Sequence, residues 1–162
     1  MWSVAKNLSM TCRAEPGAVP SARRALSDFA ISAGADQRQV EAVRLASSEA
    51  LTNAVVHAYR DEPGSIYVTA ALVSDELWVL IADDGCGLEP RADRPGLGLG
   101  LIAQVSDELA VVPRATGGTE VRMRFSLVGA ELAGREAPPG SMARGSGSCA
   151  KVPQPRAARL AP

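Results

Sequence analysis

The 162-residue chain has two lysines, one histidine, six aromatic residues and three cysteines, and each shortage excludes something. No Gly-Lys-Ser/Thr occurs anywhere, so a Walker-type phosphate loop is excluded. Cys12, Cys86 and Cys149 are widely spaced and form no Cys-x-x-Cys pair; an odd count without a charged-then-apolar leader reads as reduced thiols in a cytoplasmic protein. No apolar run approaches the ~18 residues of a membrane span. Basic charge is also short. Residues 1–128 carry 12 Lys/Arg against 16 Asp/Glu, a net −4, while residues 129–162 carry 5 against 2, a net +3. A mildly acidic domain lacks the basic face that nucleic acid requires.

What is present is enough for a single buried core. Residues 2–13 alternate as a first strand. Pro20 or Ser21 opens a helix running to about Ile31, and Asp36, with Gln39 three residues later, starts a second in a capping-box pattern. That helix runs to about Tyr59, with Val40, Val43, Ala50, Ala54 and Ala58 on one face. Ile66–Val73 and Glu76–Ala82 read as a hairpin, Gly98–Asp107 as a helix, and Leu109–Pro113 and Thr119–Leu127 as a second hairpin around Thr116-Gly-Gly118. The order β-α-α-β-β-α-β-β predicts an α+β two-layer sandwich, a mixed and mostly antiparallel sheet with helices on one face. From Gly129 the periodicity stops. Residues 129–162 hold five Gly and five Pro and almost no large apolar groups, so they are expected to form a disordered tail to a domain of residues 1–128.

Three short stretches carry chemistry. Glu49 and Asn53, at i and i+4, lie about 40° apart on one helix face. An Asn carbonyl oxygen suits Mg²⁺, which takes hard oxygen ligands and shares them with phosphate; a neighbouring Glu can hold a metal-bound water or accept a proton from an attacking hydroxyl. A solvent-facing polar stripe is the plainer alternative. His57, one turn on, fits packing or capping better than catalysis. The run Leu77-Trp-Val-Leu-Ile-Ala82 is apolar on both strand faces, so Asp83 emerges beside the end of a buried strand, where its carboxylate can accept from an exocyclic amine. Gly85 and Gly87 let the chain turn sharply and let a flat base approach the backbone; an ordinary Asp-Gly turn is the alternative. Asp84 is expected to face solvent. Finally, Gly96-Leu-Gly-Leu-Gly100 runs into a helix, exposing N–H groups at the positive end of its dipole, a ready phosphate site. A Rossmann reading fails because no parallel βαβ unit surrounds these glycines. Thr119, after Gly117-Gly118, either supports Asp83 through a hydroxyl or a water, or simply starts a strand.

With these pieces in this order, residues 3–127 resemble the ATP-binding superfamily of gyrases, heat-shock chaperones, histidine kinases and mismatch-repair proteins. Within it the chain is most similar to the bacterial anti-sigma-factor serine/threonine kinases, through Ser48-Glu-Ala-Leu-Thr-Asn-Ala-Val-Val-His-Ala-Tyr59, Asp83–Gly87, Gly96–Gly100 and Gly117-Gly-Thr119. The resemblance implies a histidine-kinase-like ATPase fold with ATP and Mg²⁺. Asn53 would bind Mg²⁺, and Asp83 the adenine amine. Gly85, Gly87, Gly96, Gly98 and Gly100 would line the nucleotide, with Thr119 beside the base and Glu49 as general base. It implies as partners a sigma factor and an anti-anti-sigma protein, the latter phosphorylated on Ser or Thr, and a homodimer, with no direct contact to nucleic acid or membrane. One departure is the connector Leu88–Pro95, only eight residues, where the better-known kinases have a longer lid with a basic residue reaching the terminal phosphate; Arg91 and Arg94 are the cations available. Two alternatives stay open: a partner-switching ATP-binding module without kinase turnover, and a histidine-kinase-type catalytic domain acting in trans. Against the latter, residues 1–35 contain no helical hairpin and no phospho-acceptor His.

Overall fold

Alternation in Asn7–Arg13 (β1) turns Leu8, Met10 and Cys12 toward the core and leaves Asn7, Ser9 and Thr11 exposed. The computed structural model describes residues 6–58, 63–86 and 97–127. After β1, turn hydrogen bonds from Ala18 N–H to Glu15 O and Val19 N–H to Pro16 O start the helix Ala18–Ala33 (α1). It begins two residues before Pro20, which is tolerated there because first-turn N–H groups need no intrahelical acceptor. Gly34, at φ 95°, closes α1, and its N–H reaches Ile31 O while that of Ala35 reaches Ala30 O. Asp36 then caps Gln37–His57 (α2): its carboxylate accepts the Gln39 N–H at 2.8 Å, and Gln39 Oε1 accepts the Asp36 N–H at 2.7 Å. This is the expected capping box.

The remaining elements are Ser65–Val73 (β2), Glu76–Asp83 (β3), Leu97–Val105 (α3), Glu108–Pro113 (β4) and Thr119–Ser126 (β5). The five-stranded sheet has the order β1-β2-β3-β5-β4, and every pairing is antiparallel. The predicted α+β architecture is the one observed, with the sheet wholly antiparallel among the described residues where the sequence predicts a mixed, mostly antiparallel one. The strand order brings distant residues together at one sheet end. The chain leaves β3 there, crosses through α3 to the edge strand β4, and returns as β5 between them. Ala82 therefore pairs with Glu120, and Asp83 comes beside Thr119.

The core lies between the helices and one sheet face. Ile66, Val68, Ala70, Leu77, Val79, Ile81, Val121, Met123 and Phe125 meet Ala22, Leu26 and Ala30 of α1, Val43, Ala46, Ala50, Leu51 and Ala54 of α2, and Ile102 of α3. The predicted face of α2 is the buried one, with Val40 packed at its margin. Strand β3 differs from expectation. Leu77, Val79 and Ile81 are buried, but Trp78 and Leu80 are only half-buried, because no helix among the described residues packs on the second sheet face. There Arg124 bonds Glu76 at 2.6 Å and Glu108 at 3.1 Å across neighbouring strands, with its guanidinium 6.0 Å from the Trp78 ring centroid. Residues 129–162 lie outside the described residues, as do Tyr59 and the connector Leu88–Pro95.

One core position is locally unfavourable. Ser47 on α2 is fully buried, and its hydroxyl has no protein hydrogen-bond partner among the described residues. A buried hydroxyl left unpaired forfeits its hydration without return, and Ala is the better helix former. Ser47→Ala is expected to raise unfolding stability by about 1 kcal/mol, seen as a higher urea midpoint at unchanged slope.

Candidate nucleotide site

Four chain segments meet at one end of the domain. On α2, Glu49 and Asn53 are both half-buried and point to the start of α3. The approach is close: a methyl placed on Gly98 would stand 2.8 Å from Glu49 Oε2 and 3.2 Å from Asn53 Nδ2. Glycine here is a matter of space, since any side chain would enter the volume the acid and amide occupy. The alternative of a solvent-facing stripe is therefore set aside, because the pair faces a helix terminus. Gly100, further along α3, is exposed, with nothing within 4 Å of its missing Cβ.

The second half of the site is built around Asp83, which is only 7% exposed. Its Oδ1 accepts the Gly85 N–H at 3.0 Å and the Thr119 N–H at 3.3 Å. Burial pushes its carboxyl above the ordinary aspartate value; these two backbone bonds and the Arg114 guanidinium pull the other way, and Asp84 adds a small upward push. Thr119 thus supports Asp83 through its main-chain N–H. Gly85 also has a more specific reason than a sharp turn. A Cβ there would lie 2.1 Å from Ala58 O, and the Cys86 N–H donates to that same carbonyl at 3.0 Å. The turn after β3 thus sits on the end of α2, about 7.5 Å along the axis from Asn53.

Asp84 is not simply solvated. Its Oδ1 accepts the Ser65 N–H at 3.3 Å and its Oδ2 the Tyr67 hydroxyl at 3.4 Å. Gly87 and Gly96, with Arg91 and Arg94, lie outside the described residues. Of the thiols, Cys86 is exposed, and burial pushes that of Cys12 up. Arg114 is the site residue that sequence reasoning misses altogether. Its Nη1 donates to Asp83 O at 2.8 Å, a contact created by the β3-β5-β4 strand order, for which no local signal exists.

In chemical terms, the carboxylate of Asp83 is an acceptor held by two N–H groups, beside turns whose glycines leave little side-chain bulk. Glu49 and Asn53 supply hard oxygens next to the N-terminus of α3, where the helix dipole favours an anion. The donor chemistry fits Mg²⁺ that takes one protein oxygen and completes its shell from phosphate and water.

An α+β sheet backed by helices, with this acid–amide pair facing the start of α3, is a setting that suits a phosphate-bearing ligand and its metal. The model of the histidine kinase-like ATPase domain matches residues 12–125, and the chain belongs to that family. Its relatives include the anti-sigma F factor of Shouchella clausii, 29% identical over 120 residues that span 65% of this chain and 82% of that protein. The anti-sigma F factor of Clostridium acetobutylicum is 27% identical over 122 residues, 66% of this chain and 85% of that one. Among solved structures, the RsbU and RsbW domains of a Mycobacterium tuberculosis protein superpose with a TM-score of 0.61 at 26% identity, over 75% of this chain and 32% of that one. The superfamily expected from the three motifs is thus the one found, and its named relatives are anti-sigma factors. No helix among the described residues is long and apolar enough to cross a membrane.

Because the atom a Gly98 methyl would meet is the end of a flexible side chain, Gly98→Ala is expected to fold with its melting temperature within a few degrees of the parent. It should nonetheless displace the Glu49 carboxylate. Carboxylate position and stability should therefore separate in this variant, measured by the Glu49 carboxyl chemical shift against thermal unfolding.

Proposed function

We propose that the chain is an ATP-dependent anti-sigma regulator: a protein serine/threonine kinase that holds a sigma factor and phosphorylates a small anti-anti-sigma antagonist. The observation that carries the reading is the meeting of Glu49 and Asn53 with Gly98 at the start of α3. It sets a carboxylate and an amide oxygen beside a helix N-terminus in a family defined by its ATPase domain. Likeness to anti-sigma F factors over most of their length supports the choice of partners.

In this reading Asp83 accepts a hydrogen bond from the adenine amine, with Gly85, Gly87 and Thr119 around the base. Gly96, Gly98 and Gly100 lie along the phosphates, and Asn53 contributes an oxygen to Mg²⁺. Glu49 would take the proton from the attacking Ser or Thr hydroxyl as its oxygen bonds the terminal phosphorus, while the bond from that phosphorus to the β–γ bridging oxygen breaks and ADP leaves. Arg91 or Arg94 balances charge on the phosphate. The proposal also includes Mg-ATP as cofactor, a cytoplasmic location and a homodimer.

The test is direct: purified protein with Mg-ATP should phosphorylate a small antagonist protein from the same cell on Ser or Thr, and free ADP should accumulate in step. The eight-residue connector Leu88–Pro95 favours a second reading, in which ATP orders a partner surface without turnover. Nucleotide-dependent partner binding with no phosphate transfer would decide for that one.

A further inference from the structure

We propose that Arg114 is a positioning residue for Asp83, fixing both the place and the charge of its carboxylate from the far side of the sheet. The inference rests on the proposed nucleotide site, in which Asp83 accepts from the base. Arg114 follows β4 and acts on Asp83 by two routes. Its side chain donates from Nη1 to Asp83 O at 2.8 Å, while its guanidinium lies 5.2 Å from the Tyr67 ring centroid. Its main chain holds the turn: the Arg114 N–H bonds Gly118 O, and the Gly117 N–H bonds Arg114 O, each at 3.1 Å. Gly118, at φ 88°, lies so near Asp83 that a Cβ would fall 2.1 Å from its carbonyl oxygen. The next residue is Thr119, whose N–H holds Asp83 Oδ1. One arginine therefore braces the backbone of Asp83 and, through two turn residues, its carboxylate.

The charge acts in the same direction. Among the described side chains around Asp83, Ile66 from β2, Thr119 from β5 and Ala58 from the end of α2 do not titrate as charges, leaving Asp84 and Arg114 as the charged neighbours. Asp84 favours the protonated form of Asp83 and Arg114 the ionised form, so Arg114 offsets part of what burial does. Stacking on Tyr67 suits the planar guanidinium, and lysine would reproduce the charge without the fork.

Arg114→Gln and Arg114→Lys separate the two routes. In the nucleotide-free protein, the Asp83 carboxyl followed by ¹³C NMR should titrate at higher pH in Arg114→Gln and near the parent midpoint in Arg114→Lys. Mg-ATP affinity should fall by about tenfold at neutral pH in Arg114→Gln, as expected for losing a charge-assisted contact. The acid limb of binding should move up with the carboxyl midpoint. An unchanged Asp83 midpoint in Arg114→Gln overturns the inference. A shifted midpoint in a protein that binds no ATP at all supports the hold on Asp83 and sinks the nucleotide reading instead. Should the Gln variant not fold, Arg114→Lys decides. Several-fold weaker ATP binding at an unchanged midpoint supports the backbone grip, and parental binding overturns it.

Discussion

Asp83→Asn is expected to abolish the thermal shift given by Mg-ATP while leaving the nucleotide-free protein at least as stable as the parent. The carbonyl of the substituted amide can keep the bonds from Gly85 and Thr119 N–H, but its NH₂ then presents a donor where the carboxylate presented an acceptor. Against an adenine amine this sets donor against donor, and affinity should fall by about 100-fold or more, since bonds to charged groups contribute ~1.5–3 kcal/mol and an unpaired buried donor adds to the loss. With ligand at 100 times its dissociation constant the parent gains about 2.7 kcal/mol, or roughly 5–10 °C in a domain of this size; the variant should gain close to nothing. The stability half follows from linkage. Burial raises the Asp83 pKa in the folded protein, so between the ordinary aspartate value, about 3.9, and that raised value the folded state binds more protons than the unfolded. Stability contributed by the protonated carboxyl is fully present below the unfolded value and is lost as pH rises through the folded one. At neutral pH the ionised group is a cost that Asn removes. A variant that keeps the full ATP-induced shift would overturn the proposed role.

Glu49→Ala is the complementary case. Phosphoryl transfer to the antagonist should drop by roughly 100- to 10,000-fold, the range for removing a general base, with Mg-ATP affinity within about threefold of the parent. The half-buried carboxylate faces Gly98 with no part in the Asp83 group, so its loss should reach chemistry and spare base recognition. Equal transfer by parent and variant would remove Glu49 from the mechanism, and equal loss of transfer and binding would make it a structural contact. Single-turnover transfer paired with calorimetric ATP binding distinguishes the outcomes.

Local chemistry explains how much is legible in the sequence. The Asp36–Gln39 capping box and the buried alanine face of α2 depend on residues within a few positions of one another, so spacing suffices to find them. Glu49 and Asn53 share a helix face for the same reason. The apolar run of β3 misleads in one respect: residues apolar on both faces promise burial on both, whereas the helices among the described residues cover only one. Nothing in a strand's own sequence says how many layers will pack on its sheet.

By itself, then, the sequence determined the element order, the α+β class, the acid–amide pair and the aspartate that ends β3, because each is a matter of short-range spacing and side-chain chemistry. Only the tertiary structure decided what these groups face. The insertion of β5 between β3 and β4 brings Thr119 N–H and Arg114 to Asp83, the end of α2 requires Gly85 to be bare, and Gly98 seats α3 against Glu49 and Asn53. Such contacts join residues as far as 49 positions apart. They arise from strand order and helix packing, which follow from burying one shared core and leave no signature in a local window.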